Sequence, residues 1–255
     1  MSKAFKTGIL PVILVLALGV PACGGGDATS GPQSHQRAFL QSHRLDLILG
    51  DCTTYRGVTK AFVPTMVQIA ENNAQLHRAL WAACFDGAPL HTLRWNPTVD
   101  FGDVPSSVAA NPVLAQKFNE ARALGLEPRL RAMVEHTPVR AQGSGQLEAL
   151  EVAAQTANVG RIFIVTDGQI DEVGGVNLLT ATPHQIMEAV HLWLPRLRNL
   201  SQVQLWFIGV GYLAPTSASV RRSEVLFRGI ANGVGAPCSW SQSLPVSFPQ
   251  QPTTC

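Results

Sequence analysis

The sequence predicts one α/β domain: a mostly parallel sheet with helices on both faces and an antiparallel edge strand. Three observations carry that expectation. Arg161-Ile162-Phe163-Ile164-Val165-Thr166 and the stretch from Gln204 to Val210 are almost continuously apolar, as strands buried on both faces are. Strand-like and helix-like stretches alternate along the chain, the order that lays helices against a parallel sheet. The 255 residues are 46% hydrophobic and only 14% charged, enough apolar material for one sizeable core and too little charge for a disordered chain.

The amino-terminal residues read as an address for export. Lys3 and Lys6 form a positive segment, and Gly8 to Val20 is an apolar run too short to remain as a comfortable membrane span. Val20-Pro21-Ala22-Cys23, followed by Gly24-Gly25-Gly26, resembles a bacterial lipobox, in which the cysteine becomes the lipidated first residue of the mature chain. The resemblance implies an exported protein, anchored to a membrane through Cys23 on the extracytoplasmic face. Residues 1–22 are then a signal peptide, 23–42 a flexible linker, 43–236 the folded domain and 237–255 a Pro-rich tail. Without Lys3 and Lys6 the mature chain carries 17 basic and 17 acidic side chains. With no block of Lys or Arg elsewhere, nothing in the composition calls for nucleic acid as a partner.

Within the domain, Leu45-Asp46-Leu47-Ile48-Leu49-Gly50 predicts a strand ending at Asp51. Val58 to Gln75 predicts a helix, because Phe62, Met66 and Ile69 recur at helical spacing; Pro64 suggests a kink or a late start. Arg78 to Phe85 predicts a second strand. Asp86-Gly87 is a hairpin signal, so Leu90 to Trp95 is expected to return as the antiparallel strand. Asn111-Pro112 predicts a helix start with Asn as its cap, and Pro128 to about Glu135 a further short helix. Gln146 to Thr156 places Leu147, Leu150 and Ala154 on one helical face. Thr182-Pro183-His184-Gln185 is a capping box opening a helix that should end near Pro195, and Ser223 to Ala231 predicts the last helix. The layering this implies is a Rossmann-like three-layer sandwich.

Two predicted strands end in aspartate, in Leu49-Gly50-Asp51 and in Val165-Thr166-Asp167-Gly168. Ligands of open α/β sheets sit beyond the carboxyl ends of the strands, where the strand order reverses. Two carboxylates gathered there call for a cation or hydrogen-bond donors between them. Thr53, Thr54 and Ser144 supply hydroxyls nearby, and carboxylates with hydroxyls form a hard oxygen set suited to Mg²⁺, Ca²⁺ or Mn²⁺.

This ordered set resembles the von Willebrand factor A family, whose metal-ion-dependent adhesion site uses Asp-x-Ser-x-Ser, a later Thr and a later Asp. Asp51 matches the first Asp and Thr53 the first Ser. Ser144, in Gly143-Ser144-Gly145-Gln146-Leu147-Glu148-Ala149-Leu150, takes the Thr position, and Asp167 the final Asp. The resemblance runs from about Leu45 to Ala236. It implies a divalent cation held by Asp51, Thr53, Ser144 and Asp167, with one coordination position left for a carboxylate on a partner protein or for water. Tyr55 stands where the second Ser would coordinate, which leaves that ligand to Thr54 or to water. The alternative is an interaction domain that works without metal, with Asp51 and Asp167 capping loop amides.

Cys52, Cys84, Cys238 and Cys255 remain once Cys23 is set aside, and four cysteines permit three pairings. Cys238 and Cys255 bracket the tail and could close it. Cys52 and Cys84 fall at the ends of two strands that this fold would set side by side; either could instead be a small buried apolar residue. A competing enzymatic reading makes Cys52 the nucleophile of a hydrolase, on a turn after a strand. Thr54 stands where such an elbow needs glycine, and no His is placed by sequence as its base.

Overall fold

The computed structural model describes residues 38–53, 56–139, 145–168, 172–173, 176–212, 216–244, 252 and 255. The segment with the apolar run and Cys23 therefore lies outside the described residues, as do Thr54, Tyr55, Ser144 and Asp171. Among the described residues no helix is long and apolar enough to cross a membrane.

Six strands form the main sheet: β1 (Leu45–Asp51), β2 (Ala79–Phe85), β3 (Thr98–Asp100), β4 (Val159–Val165), β7 (Gln204–Ile208) and β8 (Cys238–Ser241), in the order β3-β2-β1-β4-β7-β8. All neighbours are parallel except β3, which runs antiparallel to β2 through Trp81↔Thr98 and Ala79↔Asp100. A separate two-stranded ribbon joins β5 (Glu172–Val173) to β6 (Val176–Asn177). The chain runs from β1 to β2 on one side and reaches β4 on the other, so the strand order reverses between β1 and β4. The carboxyl ends of the strands at such a reversal are where open α/β sheets generally bind ligands.

Alternation along the strands divides the core into two layers, since successive side chains leave a strand on opposite faces. Leu47, Leu49, Ile162, Ile164, Leu205 and Phe207 belong to one cluster. They pack with α6 (Gln146–Ala154), α7 (Pro183–Leu197) and α8 (Ser217–Val234) through Leu150, Val190 and Phe227. Ile48, Phe163, Val165, Trp206 and Ile208 face the other way. Their cover is α1 (Arg56–Gln75), α4 (Pro112–Leu124) and α5 (Glu127–His136), through Phe62, Met66, Ile69, Ala123 and Leu130. Each Leu, Ile, Val, Phe or Met among these side chains contributes ~1.5–3 kcal/mol on burial. Gly50 makes room for this packing: a Cβ there would lie 2.6 Å from Met66 Cε, so the end of the Met66 side chain would have to move.

Sequence expectations and structure part at four places. Leu90 to Trp95 is not the returning strand. Asp86 Oδ1 accepts from Ala88 N at 2.9 Å, and Pro89 opens a short helix, α2 (Pro89–Thr92), where its fixed φ and missing N–H suit the first helical position. The antiparallel partner comes later, as β3. Pro64 does not delay α1, which begins at Arg56 and carries the exposed Pro64 within it. The last helix starts earlier than Ser223 because Thr216 caps it, its hydroxyl accepting from Ser219 N at 3.1 Å, and it runs to Gly235 in the left-handed conformation. Finally, the sheet continues past residue 236, since β8 pairs with β7 from Leu205↔Cys238 to Ile208↔Ser241. The expected caps at Asn111 and Thr182 are present, the latter as a full capping box with Gln185.

At the amino ends of the strands lies a buried ionic cluster. Asp46, fully buried on β1, accepts from Arg78 at 2.6 Å and from Arg161 at 2.5 Å. Asn73 adds a bond of 2.8 Å to Asp46 and accepts one of 3.0 Å from Arg161. The interruption of two otherwise apolar strands by Asp46 and Arg161 is thus paired within the fold.

Candidate functional site

The carboxyl ends of β1 and β4 bring Gly50-Asp51-Cys52-Thr53 beside Val165-Thr166-Asp167-Gly168. Backbone bonds hold these loops in register: Cys52 N donates to Phe85 O at 3.2 Å, Thr166 N to Ile208 O at 3.0 Å and Gly211 N to Asp167 O at 2.6 Å. Gly168 has φ of +73°, and a Cβ there would come within 2.8 Å of Val210 Cγ1, so only glycine passes between β4 and the turn after β7 without strain.

Asp51 is buried, 1% exposed, and its carboxylate is the hub of the site. Oδ1 accepts from the Thr53 backbone N at 3.1 Å and from Thr53 Oγ1 at 2.6 Å. Oδ2 accepts from Thr166 Oγ1 at 2.8 Å, with Gln146 Nε2 at 3.4 Å. Thr166 Oγ1 in turn accepts from Gln146 Nε2 at 2.7 Å and from Gly168 N at 2.9 Å. One hydroxyl therefore ties the end of β1 to the end of β4 and to the first residue of α6.

Of the predicted set, Asp51 and Thr53 are in direct contact. Asp167 follows Thr166 on the same rim, 4% exposed, and Ser144 lies outside the described residues. Gly145, described immediately after it, donates its N–H to Asp86 O at 2.9 Å, so the chain enters α6 at this rim. Sequence reasoning did not assign roles to Thr166 and Gln146. A signal for Thr166 existed: Gly50 pairs with Val165, so the next residues, Asp51 and Thr166, stand side by side on one face. Gln146 is polar at the buried start of a helix, a weaker sign.

The donor set fits a hard cation by kind: carboxylate and hydroxyl oxygens from two strand ends. Among the described residues no three His, Cys, Asp or Glu side chains gather as a metal group, so any ion here would depend on hydroxyl ligands. The two cysteine pairs are at disulfide distance, Cys52 with Cys84 and Cys238 with Cys255, with Cα separations of 5.5 and 5.3 Å. Cys52–Cys84 joins the ends of β1 and β2, and Cys238–Cys255 closes the tail onto β8. A bonded Cys52 has no thiol to offer, which removes the nucleophile from the hydrolase reading.

Fold and rim together define a Rossmann-like three-layer α/β domain with an acidic and hydroxylic site at its topological switch point. No protein-family model, curated protein or solved structure matches this chain.

Proposed function

We propose that this chain is an exported, lipid-anchored recognition domain of the von Willebrand factor A-like kind, which takes a carboxylate of a partner protein at the carboxyl rim of its sheet. What supports the reading is the buried Asp51 carboxylate at the switch point, joined to hydroxyls of Thr53 and Thr166 from two different strand ends. In this proposal Asp51, Thr53, Ser144 and Asp167 hold a divalent cation such as Mg²⁺. The ion supplies a Lewis-acidic position for the partner's carboxylate, and the protein's share is to orient oxygen ligands and exclude water from Asp51. No covalent bond is made or broken.

A second reading is favoured by a specific observation. Both oxygens of Asp51 already accept hydrogen bonds from Thr53 and Thr166, which satisfies the carboxylate without an ion. The domain then recognises partners through its loops alone.

Thermal melting with and without millimolar Mg²⁺, Ca²⁺ or Mn²⁺ separates the two. A bound ion at about a hundredfold over its Kd stabilises by about 2.7 kcal/mol, a rise in Tm of ~5–10 °C for a domain of this size. The rise should disappear in Asp51→Ala. No response to any of the three ions rejects the metal-dependent reading and leaves the loop-based one. The anchor is tested apart from this: mass spectrometry of the protein from a bacterial membrane fraction should find an acylated amino-terminal Cys23, and an unmodified chain would refute lipidation.

A further inference from the structure

Beside the Cys52–Cys84 pair, between α5 and the segment that follows β2, lies an open cleft of about 430 Å³. Its volume falls in the range of small-ligand sites. The disulfide, Met133, Pro138 and Val139 give it an apolar lining over the buried Phe85, while Arg94, Arg129 and His136 bring basic groups to it. His136, Thr137, Pro138 and Val139 are all exposed, so the cleft opens to solvent and does not enclose its occupant.

The two arginines are held but not neutralised. Arg129 Nη2 donates to Asn96 Oδ1 at 3.2 Å, and Arg94 Nη1 to Leu93 O at 2.8 Å. Among the described residues neither guanidinium has a carboxylate partner. The acids of α5 are engaged elsewhere, Glu127 with Arg131 and Glu135 with Lys60. Asp86 also lines the cleft, but it is 5% exposed and its Oδ1 is taken by Ala88 N and Thr92 Oγ1. A guanidinium carries five donors, so each arginine keeps most of its fork for a ligand.

We propose that this cleft binds an acidic peptide segment of a partner protein, with carboxylates on Arg94 and Arg129 and an aliphatic side chain against Pro138, Val139 and the edge of the disulfide. Paired guanidiniums recognise carboxylates through charge-assisted, often bidentate bonds. The apolar lining favours a peptide over an inorganic anion, which would leave that surface wet. The cleft lining includes Cys52, the neighbour of Asp51, but not Asp51 itself, and binding to the two arginines needs no cation.

The test uses fluorescence anisotropy of a labelled Glu-Leu-Glu-Leu peptide titrated with the full chain in EDTA. Saturable binding is expected, weakening with added salt. Arg94→Gln with Arg129→Gln should raise Kd about tenfold or more, from the loss of bonds to charged groups. Both side chains are exposed, so folding should survive; Arg129→Glu alone serves as a second variant and should weaken binding at least as much. Arg198→Gln, on the 3-10 turn Arg198–Leu200, should leave Kd unchanged. Three results would each overturn the proposal: equal binding by the double variant, binding that requires divalent metal, or displacement by inorganic phosphate as effective as by unlabelled peptide. Because EDTA is present throughout, failure here leaves the cation reading of Asp51 standing, and failure of that reading leaves this one untouched.

Discussion

Asp46 and Asp51 bracket the same strand and are almost equally inaccessible, yet their carboxylates meet different chemistry. Asp46, at the amino rim, sits between the guanidiniums of Arg78 and Arg161 with Asn73 alongside. Asp51, at the carboxyl rim, accepts from the neutral hydroxyls of Thr53 and Thr166 and lies near the amide of Gln146. The first arrangement is a closed ionic knot whose members all lie inside the fold. The second uses short, neutral side chains at the place where the strand order reverses. The contrast separates a buried acid held between fixed counter-charges from one held by neutral hydroxyls and an amide, which is the acid of the recognition site we propose.

Disrupting the bonds of each acid breaks this comparison in a graded way. Asp46→Asn leaves two buried guanidiniums without their counter-charge and should cost about 3–5 kcal/mol in urea denaturation. A loss under ~1 kcal/mol would mean that the knot relaxes to solvent. Thr166→Val keeps the shape of the rim while deleting the hydroxyl that joins Asp51, Gln146 and Gly168, with an expected loss of ~1–3 kcal/mol by the same measurement. If Thr166→Val proved as costly as Asp46→Asn, the distinction between the two rims would fail.

The smallest effect concerns Glu148, in the first turn of α6 beside Gln146. Desolvation by burial raises its pKa; its backbone hydrogen bond opposes this, Glu151 adds to it and Arg196 opposes it. A carboxyl with a raised folded pKa binds more protons in the native state, so the native state gains stability as pH falls through that raised value. Glu148→Gln should therefore be slightly more stable than the parent at neutral pH. The difference should shrink as pH falls toward the ordinary Glu range, as followed by Tm across a pH series. An unchanged difference at acid pH would show that the advantage does not arise from ionisation of Glu148.

The layering was legible in the chain because it rests on local pattern. Buried strands such as Ile162-Phe163-Ile164-Val165, helix caps at Asn111 and Thr182, and the alternation of the two element types need no distant contact to be read. The aspartates at strand ends were legible for the same reason. The returning strand was misplaced because Asp86-Gly87 also suits a turn into a helix, and Pro89 decided for the helix. Thr166 was passed over because it becomes Asp51's neighbour only when β1 and β4 are laid in register.

The amino-acid sequence alone, then, determined the alternating elements, the faces they bury and the acids that end β1 and β4, since each depends on side-chain spacing within a few turns of chain. Tertiary structure alone decided that Arg78 and Arg161 converge on Asp46, that the disulfide joins β1 to β2, and that Arg94 and Arg129 line one cleft. These contacts span long stretches of chain, and their energies depend on register and distance, which exist only once the sheet has formed.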